Sequence, residues 1–191
     1  RVLFRSVSRL AGTALMGLFK DPAHNNNPPG FTVTYTEIEL DTETGKYEIL
    51  DMVSIAECGT VVHPQGLANQ LRGGAVWGIG LSGYERHLYD PQNGIPASTG
   101  YWQSKVPTYL DTPANIGTGW VDLPDPENPV GARGIGEPSM GAVSAALTAA
   151  ISDALDGHIF NAAPITADMI INHVAGVSSE AIPLAQNNFR G

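Results

Sequence analysis

Phe31-Thr32-Val33-Thr34-Tyr35-Thr36-Glu37-Ile38-Glu39-Leu40 alternates in character at every step. A two-residue period written in β-branched and aromatic residues is a strand, with Phe31, Val33 and Tyr35 on one face. Asp41 to Lys46, with Thr44-Gly45 inside it, reads as a hairpin turn, and Tyr47 to Ile55 as the return strand. Outward from this hairpin the period changes. Pro64 and Gln65 open a helix that reaches about Tyr84. Met140, Val143, Leu147, Ile151 and Leu155 recur at helical spacing in a segment from Pro138 to about Asp156, and Gly157 is its stop. A last helix fits about Thr166 to Ala175, before Gly176, and a short strand fits Thr118 to Asp122. Residues 90–100 and Leu123 to Pro129 read as loops, each proline turning its predecessor away from helix. The sum is α+β: a hairpin-based sheet with packed helices and no repeats, not an alternating βαβ array.

At the ends, residues 7–20 read as the tail of an earlier helix and 21–30 as a turn-rich linker, while the polar stretch from Val177 is expected to fray. This divides the chain into 1–30, a domain over 31–176, and a tail over 177–191. Arg1-Val2-Leu3-Phe4-Arg5-Ser6 begins without Met and resembles translated sequencing-adapter read-through, so residues 1–6 are expected to be non-native.

Composition narrows the function classes. The chain has 191 residues, with 10 Lys and Arg against 19 Asp and Glu, a net charge of −9. That balance disfavours nucleic acid, whose phosphates need clustered Lys and Arg. No apolar run approaches the length of a membrane span. Cys58 is the single cysteine, so neither an intrachain disulfide nor a cysteine-held iron–sulfur cluster fits within the chain. It reads as a small, inert, buried residue. The five histidines, His24, His63, His87, His158 and His173, show no ligand spacing, and no direct protein ligand to a metal is expected.

Chemistry concentrates in Gly131-Ala132-Arg133-Gly134-Ile135-Gly136-Glu137-Pro138-Ser139-Met140-Gly141. A glycine-rich segment delivers one carboxylate, Glu137, to a helix N-terminus, with Pro138 at the first helical position. The two readings of Glu137 are a helix-capping acid and an acid presented to a ligand lying close to the backbone. Gly78-Ile79-Gly80-Leu81-Ser82-Gly83 matches G-x-G-x-x-G literally, but it falls inside a helix rather than after a strand. Gly74 and Gly78 there read as close packing against another backbone. Taken alone, Gln70 is a surface helix residue whose amide both donates and accepts. The acids of 37–57 read mostly as the solvated face and turn of the hairpin. Trp77, Tyr101, Trp102 and Trp120 fit either a substrate funnel or the core.

Four blocks, in order, resemble the molybdopterin-binding large subunit of the xanthine dehydrogenase and aldehyde oxidoreductase family. Glu57-Cys58-Gly59-Thr60-Val61-Val62-His63-Pro64 is similar to the family's D-C-G-x-x-I-N-P, with His63 where the family usually has Asn. Asn69-Gln70-Leu71-Arg72-Gly73-Gly74-Ala75-Val76-Trp77-Gly78-Ile79-Gly80 is similar to G-Q-x-x-G-G-x-x-x-G-x-G. Lys105-Val106-Pro107-Thr108, with Asp111 and Pro113, is similar to Y-K-I-P-T-x-x-D-x-P. Gly131 to Pro138 is similar to G-A-K-G-x-G-E-P, with Arg133 for the family's lysine, and Ser139 follows where Glu-Pro-Pro is common. The resemblance covers about residues 31–176 and corresponds to the C-terminal part of a much longer subunit.

The resemblance implies a molybdenum hydroxylase that oxidises an aldehyde or N-heterocycle with oxygen from water, Glu137 serving as general base. It implies that Gln70, Arg133, Gly134 and Gly136 bind the molybdenum–molybdopterin cofactor, in its cytosine dinucleotide form. It further implies an upstream remainder of the subunit, an iron–sulfur partner with [2Fe-2S] clusters, a partner carrying FAD, and a small-molecule substrate. Its usual location is cytoplasmic, with export to the periplasm through a partner's signal as the other route. The rival readings are a non-catalytic scaffold or assembly subunit of the same fold, a natural split subunit, and an unrelated acidic α+β binding module.

Overall fold

The structure is a computed structural model and describes residues 30–127 and 129–177. The expectations for 1–29 and 178–191 lie outside the described residues. Strands β1 (Phe31–Asp41) and β2 (Lys46–Glu57) form the expected hairpin. The Asp41 carboxylate closes its turn, accepting from the Glu43 and Thr44 backbone N–H groups at 2.8 and 3.3 Å and from the Thr44 hydroxyl at 2.7 Å. The hydroxyl bond, with the backbone N–H of Glu43, holds this carboxyl below the usual range. Gly45 takes φ 68°, the left-handed conformation that glycine adopts without strain.

The register carries a bulge. Glu37 pairs with Asp51 and Ile38 with Ile49, so Leu50 has no partner of its own. Such an extra residue reverses the side-chain phase along a strand. Tyr47 and Ile49 before it therefore face the same side as Met52, Ser54 and Ala56 after it. On β1 the inward side carries Thr32, Thr34, Thr36, Ile38 and Leu40. Phe31, Val33 and Tyr35 do share one face, as the alternation predicts, but it is the face turned away from the helices.

Strand β3 (Gly117–Val121) joins β2 in parallel, giving the order β1-β2-β3. A parallel neighbour needs a crossover, supplied by helix α1 (Pro64–Gly83) and the segment after it. The sheet thus contains one parallel step that periodicity could not reveal. Two short elements were not legible in the pattern: the single turn α2 (Tyr101–Ser104) and a 3-10 turn over Tyr109–Asp111. The latter is fixed by a capping box between Thr108 and Asp111. Helices α3 (Pro138–Ala154) and α4 (Ala167–Val174) end within two residues of expectation.

Helices α1 and α3 pack on each other and on the inner sheet face, α3 chiefly over β1 and α1 over β2 and β3. The main core joins Ile49 and Met52 to Ala75 and Ile79 of α1 and to Val143, Leu147 and Ile151 of α3. Met140 is only half-buried; Ser139 takes the fully buried place beside it. A Cβ on Gly78 would lie 2.6 Å from the Val143 Cβ and 2.7 Å from the Met140 carbonyl oxygen. Gly74 meets the Ser139 side chain in the same crossing. The G-x-G-x-x-G run is therefore a helix-packing surface, as its position inside a helix predicts. Below it the Ser82 hydroxyl donates to the Gly78 carbonyl at 2.6 Å and lies 3.0 Å from the Ser144 hydroxyl.

Helix α1 is capped by His63, whose Nδ1 accepts from the Gly66 N–H at 2.8 Å. The residue standing in place of Asn thus performs an N-cap's task. None of the described helices is long and apolar enough to cross a membrane.

Two predictions follow from this packing. Gly78→Ala should destabilise, because overpacking at about 1–3 kcal/mol outweighs a helix-propensity gain of about 1 kcal/mol. Gly73→Ala, where an added Cβ meets nothing within 4 Å, should instead stabilise by about 0.5–1 kcal/mol. Urea denaturation of the pair measures both signs. His63→Ala should cost about 1 kcal/mol and His63→Asn almost nothing, since Asn restores an acceptor at the cap; equal losses in both variants would show that the cap bond is unimportant.

Candidate active site

The loop from Gly131 to Glu137 is held to the rest of the domain by three kinds of contact. The first is a backbone ladder to the segment after β2. The Thr60 N–H donates to the Gly131 carbonyl at 2.7 Å, and the Arg133 N–H donates to the Cys58 carbonyl at 2.7 Å. Gly59 and Gly131 have φ 73° and 74°, and a Cβ on Gly59 would collide with the Gly131 carbonyl. Both backbone conformation and contact distance therefore demand glycine at position 59.

The second contact is a charge cluster. Arg133 donates through Nε to Asp125 Oδ2 at 2.8 Å and through a terminal nitrogen to Glu57 Oε2 at 2.5 Å. The Asp125 bond, with both carboxylates nearby, raises the guanidinium above its already high range. Glu57 Oε1 accepts in turn from the Gly59 N–H at 3.0 Å. The planar fork of Arg lets one residue address two acids at fixed angles. Sequence reading assigned Arg133 a charge but missed both partners. A signal did exist: in the family blocks they resemble, Glu57 is one methylene longer than the aspartate and Arg133 carries a forked guanidinium in place of the ammonium, and here the two are paired.

The third contact is apolar. Ile135 packs onto the small cluster of Ala56, Cys58, Leu67 and Leu71. Its neighbours Gly134 and Gly136 are exposed on the other side of the chain. Burial pushes the Cys58 thiol up, the inert behaviour expected of it.

Glu137 ends the loop as the N-cap residue of α3, with Pro138 at the start of the helix. Its exposed carboxylate makes no capping hydrogen bond. Of the two sequence readings, the capping acid has its position, the N-cap, but no cap hydrogen bond; attraction to the helix dipole needs none, and the carboxylate stays open to a ligand. Gln70, exposed on α1, places Nε2 3.4 Å from the Gly136 carbonyl oxygen, a long hydrogen bond. Gln70, Gly134, Gly136 and Glu137 therefore share one exposed rim, and the Arg133 side chain lies behind it. An added Cβ on Gly134 would meet nothing within 4 Å, so its backbone lies open to a ligand. Open glycine backbone and a side-chain amide fit a bulky, polar cofactor approached from this side, with the Glu137 carboxylate at its edge.

Tyr101 and Trp102 are 86% and 91% exposed, and Trp77 and Trp120 are also on the surface. None belongs to the core.

The molybdopterin cofactor-binding domain family matches residues 9–113. Among relatives, subunit gamma of the 6-hydroxypseudooxynicotine dehydrogenase complex of Paenarthrobacter nicotinovorans is 34% identical over 165 residues, covering 85% of this chain and 21% of that one. A putative xanthine dehydrogenase molybdenum-binding subunit of Escherichia coli (strain K12) is 28% identical over 153 residues, covering 79% and 20%. Quinoline 2-oxidoreductase from Pseudomonas putida 86 superposes with a TM-score of 0.68 at 31% identity, covering 74% of this chain and 18% of that one. The chain belongs to the molybdopterin cofactor-binding domain family, among the molybdopterin-binding subunits of the xanthine dehydrogenase and aldehyde oxidoreductase group. It spans about a fifth of the length of the curated relatives it matches.

Arg133→Met should lower the urea midpoint by leaving two carboxylates without their shared cation, and Arg133→Lys should recover only part of the loss, because an ammonium cannot present the same fork. A lysine variant as stable as the parent would show that charge alone suffices.

Proposed function

We propose that this chain forms one wall of the active site of a molybdenum-dependent oxidoreductase that hydroxylates an aldehyde or N-heterocycle with oxygen derived from water, Glu137 acting as general base. The observation that carries this reading is the Glu137 carboxylate, exposed at a helix N-terminus, making no cap bond, on the same rim as Gln70, Gly136 and the open backbone of Gly134. A carboxylate so placed can take a proton from a reacting group that comes within hydrogen-bond reach.

The remaining residues bind and orient. Gln70 would donate or accept through its amide toward the cofactor, and Gly134 and Gly136 would let the pterin approach the main chain. Arg133 would act from behind the rim, holding the loop in place through Glu57 and Asp125. When bound, the molybdenum–molybdopterin group, in its cytosine dinucleotide form, supplies the oxygen-transfer and two-electron chemistry. The 191 residues hold one cysteine, Cys58, which is buried, so [2Fe-2S] clusters would be held outside them, in this reading by an iron–sulfur partner subunit, with FAD on another. A cytoplasmic location, or export through a partner's signal, accompanies this reading.

The test is Glu137→Gln in the complete enzyme, with molybdenum content and turnover measured on one preparation. The expected result is unchanged molybdenum and kcat lower by about 10²–10⁴-fold, the range a general base contributes. Undiminished turnover in a molybdenum-loaded variant would refute Glu137 as the base.

A further inference from the structure

Beyond α1 the chain turns back on itself in a small hairpin whose residues enter neither apolar cluster. Tyr89 and Pro96 form an antiparallel bridge. The Ala97 N–H donates to the Leu88 carbonyl at 2.7 Å and the Asp90 N–H to the Ile95 carbonyl at 2.9 Å. The tip is Asp90-Pro91-Gln92-Asn93-Gly94-Ile95, exposed from Pro91 to Ile95, and it holds the single Asn-Gly step of the sequence.

An asparagine followed by glycine is open to one spontaneous reaction. The glycine nitrogen gives its proton to a base in solution and attacks the asparagine Cγ. A new C–N bond forms, the carboxamide C–N bond breaks, and the departing nitrogen takes a proton and leaves as ammonia. The cyclic imide that results is opened by water at either carbonyl, to aspartate or to isoaspartate. Water is consumed, ammonia is released, and nothing is oxidised or reduced. Glycine favours the attack because no side chain shields its nitrogen, and a Cβ added at Gly94 would meet nothing within 4 Å.

In this hairpin each reacting group is held. The Gly94 N–H donates to the Asp90 carbonyl oxygen at 2.8 Å, so the attacking nitrogen keeps its proton. The Asn93 carboxamide is tied at both ends. Its Oδ1 accepts from the Ile95 N–H at 2.9 Å, and its Nδ2 donates to Asp90 Oδ2 at 2.7 Å. Asp90 Oδ1 accepts from the Gln92 N–H at 2.8 Å, and Pro91 fixes the backbone between them. Any rotation of the carboxamide breaks its two bonds, and the reaction removes Nδ2 outright. Asp90 thus restrains both the nucleophile and the leaving group.

We propose that Asn93-Gly94 is a modification site at which the chain converts to aspartate or isoaspartate, and that Asp90 is the guard that sets how fast. The closed tip holds the site unreactive, and each opening exposes it. The change runs one way. A carboxylate at position 93 cannot donate to Asp90 and sets like charges side by side. Isoaspartate also adds a methylene to the main chain inside the turn. Opening of the hairpin is therefore recorded covalently.

The complete enzyme, expressed from its full reading frame and held in mildly alkaline buffer, tests this. Aspartate and isoaspartate at position 93 are quantified over time by peptide mapping and mass spectrometry. The samples are the parent, Asp90→Ala, Asp90→Asn, and the parent unfolded in guanidinium chloride. Conversion in the folded parent should be at least ~10-fold slower than in the unfolded parent, as expected for a site reached only by local opening. Both folded variants should lose most of that protection. Asp90→Asn has one acceptor oxygen where the tip uses two, and it carries the comparison if circular dichroism shows that Asp90→Ala does not fold. Equal rates in folded and unfolded parent would overturn the guard, as would two folded variants as slow as the parent. An unfolded parent that does not convert at position 93 would overturn the site itself.

Discussion

The close crossing of α1 and α3 is the constraint on which the rest of this domain depends. Gly78 lies against the Val143 side chain and the Met140 carbonyl, and Gly74 lies against Ser139. Interiors packed to crystal density transmit such distances rather than absorb them. Gln70 sits one turn before Gly74 on α1, and Glu137 sits immediately before α3. The contact that brings the helices together therefore also sets how far the amide stands from the carboxylate. If the axes moved apart to admit one methyl group, both sides of the rim would move with them.

The loop that ends in Glu137 is positioned by contacts of different character, which lessens its dependence on any one. Backbone hydrogen bonds to Cys58 and Thr60 fix its track, Arg133 ties it to acids on either side, and Ile135 anchors it in apolar surroundings. This leaves Gly134, Gly136 and Glu137 with few internal contacts of their own. A site that must hold a large cofactor benefits from such a division, because the residues that keep its shape are not the residues that touch the ligand.

Much of this was legible in the residue order because local chemistry decides it. The Phe31–Leu40 alternation, the prolines at positions 64 and 138 and the glycines at 45 and 157 act within a few residues of themselves. They located the hairpin and the helix ends closely. The parallel pairing of β3 with β2 was not legible, since nothing in Gly117–Val121 names its partner. The outward direction of Phe31, Val33 and Tyr35 was not legible either. Alternation defines two faces without saying which one the helices cover, and the bulge at Leu50 reverses the phase midway along β2. At the candidate site, Glu137 and Gln70 stood out through motif resemblance. The acids that hold Arg133, 76 and 8 residues from it, are joined to it only by the fold.

The alternation of Gly134, Ile135 and Gly136 has a consequence for how this stretch can change over generations. Side chains there point inward and outward by turns, and the backbone ladder to residues 58–60 fixes where the count begins. Losing or gaining one amino acid between Arg133 and Glu137 would move the isoleucine to the solvent side and press a bare glycine into the apolar cluster. Substitutions along the stretch can be accepted singly, each judged by its own surroundings. A change in length cannot, and related chains should hold this interval to a constant number of residues while their surface loops lengthen and shorten freely.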